Sequence, residues 1–242
     1  MIGLGTLINS AAIVVGGVAG HFFGRFLSQS CQETLSKSCG ISCFIIGIAG
    51  ALQEMFTISE NGTLSSGGSM LLVLSMALGA LIGEIINIEG LFERFGEWLK
   101  VKTGNAKDKR FVNGFVTASL TVCIGAMAIV GAIRDGLVGD SSILITKSIL
   151  DLVIIVVMTC SMGKGCAFSA LPVFVLEGGM TLLAKLISPI MTDAALSNLS
   201  LVGSAMICCV GINIVWGKTI RVANLLPSLV LAAGAAFLNF SF

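Results

Sequence analysis

The clearest indication of the fold comes from residues 142–162, which read SILITKSILDLVIIVVMTCSM. It is apolar along almost its whole length and is long enough to cross a bilayer as one α-helix, which needs about 20 residues. It also carries Lys147 and Asp151, two residue types that are rare and costly in a hydrocarbon layer. Because they are four positions apart, they share one face of the predicted helix. The stretch therefore predicts a membrane span with a charged pair inside it.

The composition of the whole chain agrees with a membrane protein. Its 242 residues are 55% hydrophobic and only 11% charged, and the mean hydropathy is +1.01. A typical soluble domain is roughly a quarter charged, so this chain lacks the polar surface that such a domain needs. The net charge of +1, with no basic groove or base-stacking aromatic cluster, indicates no nucleic-acid partner.

Eight stretches are apolar enough to be spans, and they predict an all-α polytopic helix bundle that forms one integral membrane domain over residues 1–242. The second stretch is short and would tilt or thin the bilayer locally. No alternation of apolar and polar residues points to transmembrane strands. The predicted spans are 2–23, 40–56, 70–88, 112–133, 142–162, 165–188, 199–216 and 220–240.

The basic residues predict the topology of these spans. Eleven of the 14 Lys and Arg residues fall in alternate predicted loops, against two in the remaining loops. Because the basic excess lies on the cytoplasmic side, we expect an even number of spans with both termini outside. The longest loop, 89–111, has the pattern of an amphipathic helix on the cytoplasmic face. This helix is either a regulatory or lipid-contacting element, or an interfacial helix that connects the third span to the fourth.

The sequence holds no motif that indicates an enzyme or a cofactor. P-loop, GxSxG and HExxH patterns are absent. Eight cysteines and one histidine form no CxxC pair and no zinc signature, and buried free cysteines behave as small hydrophobic residues. We therefore expect no catalytic residues, no metal and no cofactor.

Polar residues inside the predicted spans are the candidates for function. Lys147 and Asp151 share their helix face with Ser148, and Asp140 with Ser141 predicts the helix start above them. In one interpretation the charged pair neutralises itself and holds the bundle together. In the other it lines a polar cavity, where Asp151 binds a cation or proton and Lys147 binds an anionic group or acts as a tethered counter-ion.

Four further candidates lie in other spans. Glu177 is in the middle of the sixth span, and Glu84 ends the third near its interface. Asn9 lies in the first span, and Asn224 begins the eighth just before a proline. Proline frees a backbone carbonyl in a helix, and transporters use such interruptions to coordinate ions.

Small residues predict close helix packing. Gly16, Gly20 and Gly24 repeat every four residues in the first span, and Gly79 and Gly83 do so in the third. This spacing lets backbones approach closely, either within the chain or in a homo-oligomer.

A short internal similarity suggests an inverted repeat. The segment Cys123-Ile124-Gly125 with Gly131 corresponds to Cys209-Val210-Gly211 with Gly217, which has the same offset. The two units are three spans apart and would run in opposite directions, as the repeats of many transporters do.

Three segments resemble a known family. Gly139–Asp151 (GDSSILITKSILD), Gly79–Glu84 (GALIGE) and Asn224–Pro227 (NLLP) are similar to the YqgA/YdfK-type family of bacterial inner-membrane proteins, and Ile8-Asn9 also fits. The resemblance covers nearly the whole chain. It implies a multi-pass inner-membrane protein from a family of unknown function that is often labelled as transporters, and it supplies no established site residues.

Two functional hypotheses follow. The first is a transporter or channel for a small solute or ion, whose polar path runs between the fifth span and the first and eighth spans. Its predicted lining residues are Lys147, Ser148, Asp151, Asn9 and Asn224, with Glu177 and Glu84 as further candidates. The second is a scaffold or sensor in contact with membrane lipid, in which the charged pair serves folding and the loop 89–111 meets a partner.

Overall fold

The computed structural model describes residues 2–58, 62, 64–124, 126–189 and 191–237. Within these ranges the chain is almost entirely helical, which confirms the predicted all-α bundle. The α-helices are α1 Leu4–Gly24, α2 Gln29–Met55, α3 Ser69–Ile86, α4 Ile88–Lys102, α5 Phe111–Cys123, α6 Ala126–Val138, α7 Ser142–Met162, α8 Ala170–Leu182, α9 Ala184–Ile187, α10 Asp193–Trp216 and α11 Pro227–Ala235. Two 3-10 helices, Lys164–Ser169 and Val222–Leu225, precede α8 and α11.

One small hairpin interrupts the helices. Strands β1, Phe56–Ile58, and β2, Leu64–Ser66, pair antiparallel between α2 and α3.

Six helical segments are long and apolar enough to cross a membrane: α1, α2, α3, α7, the run Lys164–Leu182 and α10. Helices α5 and α6 make a seventh candidate when taken together, with a bend of 62° where they meet. The predicted eighth span, 220–240, contains a shorter apolar segment, Val222–Ala235, within the described residues. The predicted number of eight is therefore approximate.

The boundaries differ most in the second span. The prediction began at residue 40, whereas α2 begins at Gln29. Its first three turns are polar, so hydropathy did not include them, but Ser28 caps the helix by accepting a hydrogen bond from the Cys31 N–H at 3.3 Å. A side-chain cap of this kind starts a helix independently of hydrophobicity.

Helices α1 and α7 pack closely and run parallel. A Cβ added at Gly16 would lie 2.8 Å from the Leu152 carbonyl oxygen, and one at Gly20 would lie 2.5 Å from that of Val156. Such contacts require glycine, as in small-xxx-small pairs generally. Contacts at successive turns thus progress in the same direction along both helices.

Four further glycine contacts join two pairs of antiparallel helical segments. Gly40 of α2 packs against Gly211 of α10, and Gly47 packs against Cys208. Likewise, Gly83 of α3 packs against Asn224 and Gly79 against Ser228 at the start of α11. Antiparallel directions are expected for these pairs, because consecutive spans cross the membrane in opposite directions and each pair joins an even-numbered predicted span to an odd-numbered one.

The predicted glycine faces are therefore used within the chain. Those of α1 and α3 are covered by α7 and by the Val222–Ala235 segment. A homo-oligomer would need a different surface, and the oligomeric state stays a prediction. The side of the membrane on which the termini lie also stays a prediction.

The predicted amphipathic helix in the loop 89–111 is present as α4. Its inner face places Leu99 against Phe111 and Phe115 of α5 in the largest hydrophobic cluster. The ring of Phe95 lies 5.8 Å from that of Phe115. Its outer face leaves Trp98 exposed, as an interfacial helix would.

The internal similarity falls on two different local structures. Helix α10 is continuous through Cys209 to Gly211, whereas α5 ends at Cys123 and the chain bends. Gly125 lies outside the described residues. The two segments therefore differ in local structure, and the inverted repeat stays a prediction from sequence.

Candidate functional site: a buried charged group

The side chain of Lys147 projects from α7 into a group of polar atoms contributed by several helices. It forms an ion pair with Asp151 one turn further along α7. It also lies 3.5 Å from Glu177 Oε1 of α8, and it donates a hydrogen bond of 2.8 Å to the Val122 carbonyl oxygen of α5. The ammonium is thus held from three directions.

Asn9 of α1 completes this group. Its Nδ2 donates a hydrogen bond of 2.8 Å to Glu177 Oε1. Asn9, Lys147, Asp151 and Glu177 are hereafter the buried charged group. They come from three helices that pack together through α1, so the group depends on tertiary structure rather than on one motif.

The break between α5 and α6 supplies the backbone part of the site. Helix α5 ends at Cys123, and Ile124 takes an extended conformation. The last carbonyls of a helix have no donor within the helix and carry partial negative charge. The Val122 carbonyl meets this need by accepting from the Lys147 ammonium.

The buried charged group is shielded from solvent. Lys147 is 5% exposed, Asp151 4% and Glu177 0%. Two carboxyl groups face one ammonium, and Glu177 Oε2 and Asn9 Oδ1 are buried without a hydrogen-bond partner among the described residues. Burying a charge without a partner is costly, so the balance of charge in this group matters to its chemistry.

Ser148 lies next to this group in sequence but does not join its hydrogen bonds. Its hydroxyl donates to the Ile145 carbonyl oxygen of its own helix at 2.7 Å. Ser148 is buried on the same side of α7 as the charged pair, but among the described residues its hydroxyl bonds its own helix rather than a member of the buried charged group.

The two remaining candidates, Glu84 and Asn224, belong to a second polar group. Asn224 Oδ1 accepts a hydrogen bond of 2.8 Å from the Glu89 N–H at the start of α4. The Glu89 carboxylate in turn accepts a hydrogen bond of 3.2 Å from the Ala223 N–H at the start of the 3-10 helix Val222–Leu225. Each side chain caps the other's helix. Glu84 pairs with Arg221 at 2.9 Å on the surface of this region.

Lys218 connects this second group to solvent. Its ammonium lies 2.7 Å from the buried Glu89 carboxylate and also pairs with Glu93. Partial burial lowers the pKa of Lys218, but the hydrogen bonds that its ammonium donates to the Glu89 and Glu93 carboxylates outweigh this effect, so the pKa lies above its usual 10.5. Lys218 therefore stays charged at neutral pH and closes the end of α10 against α4.

The predicted site residues thus fall into two places. The structure brings Asn9, Lys147, Asp151 and Glu177 together. Asn224 and Glu84 instead lie where α3, α4 and the Val222–Leu225 helix meet. The sixth span, rather than the eighth, faces the charged pair of the fifth.

Sequence reasoning missed two parts of this region. One is the Val122 carbonyl, because a backbone atom leaves no side-chain signal. The other is Asp135 of α6, which is 0% exposed and accepts a hydrogen bond of 3.0 Å from the Gly5 N–H. The predicted fourth span ends at residue 133, which leaves Asp135 in the following loop, whereas α6 continues to Val138. A charged residue directly beside an apolar run is the sequence signal for this position.

A polar cavity lies between α4, α5 and α10, on the side of α5 opposite to Val122. It has a volume of about 360 Å³, and Glu89, Glu93 and Lys218 line its polar part. The α5 residues in its lining recur along one face and extend to Leu120, two positions before Val122. Among the described residues, no group of three or more His, Cys, Asp or Glu side chains could hold a metal ion.

Apolar helices in this number, with ionisable side chains buried between them, define a multi-pass α-helical membrane protein. Comparison with known proteins gives the same class. The chain is 27% identical over 238 residues to the "Uncharacterized membrane protein YdfK" of Bacillus subtilis (strain 168), covering 98% of this chain and 97% of that protein. It is 28% identical over 233 residues to the "Uncharacterized protein YqgA" of Escherichia coli (strain K12), covering 95% and 94%.

Residues 4–237 match the family described as "Protein of unknown function (DUF554)", and the chain belongs to this family. The resemblance seen in the sequence is thereby confirmed. No solved structure matches the chain.

Proposed function

We propose that the protein is a transporter or channel for a small solute or ion, and that the buried charged group is its centre. The observation that carries the proposal is the placing of three ionisable side chains from two helices at the break of a third. Ionisable residues between membrane helices usually mark a pathway. Broken helices whose free backbone groups meet a charge are a recurring feature of transporter sites.

The route in this proposal begins in the polar cavity beside α4. That cavity follows one face of α5 to Leu120. Val122, whose carbonyl accepts from Lys147, lies on the opposite side of the same helix, so α5 separates the cavity from the buried charged group. The ion pairs of Lys218 with Glu89 and Glu93 stand at its polar end. Because the buried charged group is shielded in this conformation, transport requires a rearrangement that opens it.

We further propose that the chain lies in the bacterial inner membrane with both termini outside, in contact with membrane lipid. The excess of basic residues in alternate loops supports this orientation. The proposal includes no chemical step, no cofactor and no nucleic acid, so the protein is treated as a non-enzyme.

The test is flux through purified protein in liposomes. Vesicles with an internal pH dye and a potassium diffusion potential report proton flux, and radioactive sodium uptake reports a metal cation. We expect the wild type to exceed empty vesicles, and Asp151→Asn and Lys147→Met to reduce the rate by about tenfold or more, which corresponds to about 1.4 kcal/mol in a barrier. Glu33→Gln, an exposed change near the start of α2 and outside the polar cavity, is the matched control.

A rate that survives both changes would refute the assignment of the site. The second candidate function is a scaffold or sensor, and the burial of the charged group at no more than 5% exposure favours it. Loss of folded protein in both variants, together with wild-type vesicles no faster than empty ones and no solute-dependent thermal shift, would support the scaffold.

A further inference from the structure

We propose that Glu177 holds one exchangeable proton, and that this proton is the ion coupled to transport. The coupling rests on the function proposed above, whereas the proton site does not.

The buried charged group contains one more acid than base. Lys147 contributes one positive charge, and Asp151 and Glu177 would contribute two negative charges if both were ionised. Two carboxylates that share a buried site cannot both ionise without a large electrostatic cost. The group reaches neutrality when one carboxyl group carries a proton.

The contacts assign this proton to Glu177. Asp151 is one turn from Lys147 on the same helix and forms the closer ion pair, while Glu177 Oε1 is 3.5 Å from the ammonium. Oε1 already accepts from Asn9, and Oε2 is buried without a hydrogen-bond partner in the part of the chain that the structure describes. Oε2 is therefore the oxygen that carries the proton.

A metal ion fits this place less well than a proton does. Hard cations take about six oxygen ligands. Within the buried charged group, the fully buried oxygens that lack a hydrogen-bond partner among the described residues are Glu177 Oε2 and Asn9 Oδ1, and the Lys147 ammonium lies within ion-pair distance of both carboxyl groups. A proton needs one oxygen only.

The neighbouring elements add no second positive charge. Helix α1 contributes the neutral Asn9, and α5 contributes the Val122 carbonyl and the nearby Cys123 thiol. Asp135 of α6 is directed to the N-terminus of α1. Lys147 is therefore the single cation in contact with Glu177 among the residues described.

Release of the proton changes the contacts of Lys147. An O–H bond at Glu177 Oε2 breaks and the proton passes to water, leaving a carboxylate; no other bond forms or breaks and no electron moves. The Lys147 ammonium then faces two carboxylates, one on α7 and one on α8. Its attraction to the new charge on α8 gives proton release a means of shifting one helix against the other.

Infrared spectroscopy of the purified protein in lipid tests the proton without measuring flux. At neutral pH we expect a protonated carboxylic acid C=O band that disappears in Glu177→Gln. It should also disappear in Asp151→Asn, because Glu177 then becomes the only counter-ion of Lys147. Asp135→Asn is the matched control for another buried carboxyl group and should keep the band.

Wild-type protein labelled with ¹³C at the glutamate side-chain carboxyl provides a measurement that needs no variant. A downward shift of the band supports Glu177, and a band that does not shift, or no such band, overturns the proposal. If the band is present and neither proton flux nor sodium uptake exceeds that of empty vesicles, the transport proposal fails and the proton site stands. If flux is present and the band is absent, the proton site fails alone.

Discussion

Lys147 is the residue on which the buried charged group depends, because it touches all the charges of that group. Its ammonium contacts the carboxyl groups of Asp151 and Glu177 and the carbonyl of Val122. Removing one partner of a buried ion pair leaves an unpaired charge, which costs about 3–5 kcal/mol. Removing both partners costs much less, because no charge remains unpaired.

A double-mutant cycle at Lys147 and Asp151 follows from this difference. We expect Lys147→Met to lower the free energy of unfolding by about 3 kcal/mol. Asp151→Asn should cost less, since Glu177 can replace Asp151 as counter-ion, and the double variant should recover much of the loss. Thermal unfolding in detergent measures all four proteins. Equal and additive losses would show that the residues do not act as a pair.

At the residue scale the sequence predicted the pair better than the site around it. The spacing of Lys147 and Asp151 fixes them on one helix face, so their contact was predictable. The choice of Glu177 over Asn224 as the third member was not, because that choice depends on which helices meet. Hydropathy locates the membrane spans in the sequence, but it does not show which spans pack against one another.

At the scale of elements, the glycines of α1 set the position of α7. A side chain at Gly20 would place its Cβ 2.5 Å from the Val156 carbonyl oxygen. Asn9 lies on α1 and Lys147 lies on α7. The glycine contact therefore fixes the distance between the two helices that carry these members of the buried charged group. The glycine spacing predicted close packing, but it did not indicate the partner helix or the parallel direction.

Two alanine substitutions test this contact. Gly20→Ala should lower the free energy of unfolding by about 1–3 kcal/mol, the usual cost of overpacking, and should widen the site. Gly179→Ala in α8 is the control, because a Cβ there meets nothing within 4 Å; we expect it to be neutral or to stabilise by up to about 1 kcal/mol. Equal thermal midpoints for the two variants would contradict a tight α1–α7 contact.

The broken helix is the element that the sequence indicated least clearly. Residues 112–133 were predicted as one span, and the structure instead ends α5 at Cys123 and bends the pair by 62°. Apolar composition is the same on both sides of a break, so hydropathy cannot show it. The carbonyl that the break frees is nevertheless a direct ligand of Lys147.

At the scale of the whole molecule, transport through the buried charged group requires two conformations. In the one described, the buried charged group is shielded, and α5 separates it from the polar cavity beside α4. A transporter must at some stage expose this group to water, whereas a scaffold keeps it shielded. Access of water to the group therefore separates the two functions more directly than stability does.

Cys123 is a natural reporter of that access, because it follows Val122 and lies beside the charged residues. A variant that keeps only this cysteine is placed in vesicles and treated with a charged thiol reagent that does not cross membranes. A variant that keeps only Cys166, which is fully buried, is the control. We predict that Cys123 reacts, that a change of external pH alters its rate, and that Cys166 does not react; a Cys123 that stays unmodified at every pH would contradict a transport site at the buried charged group.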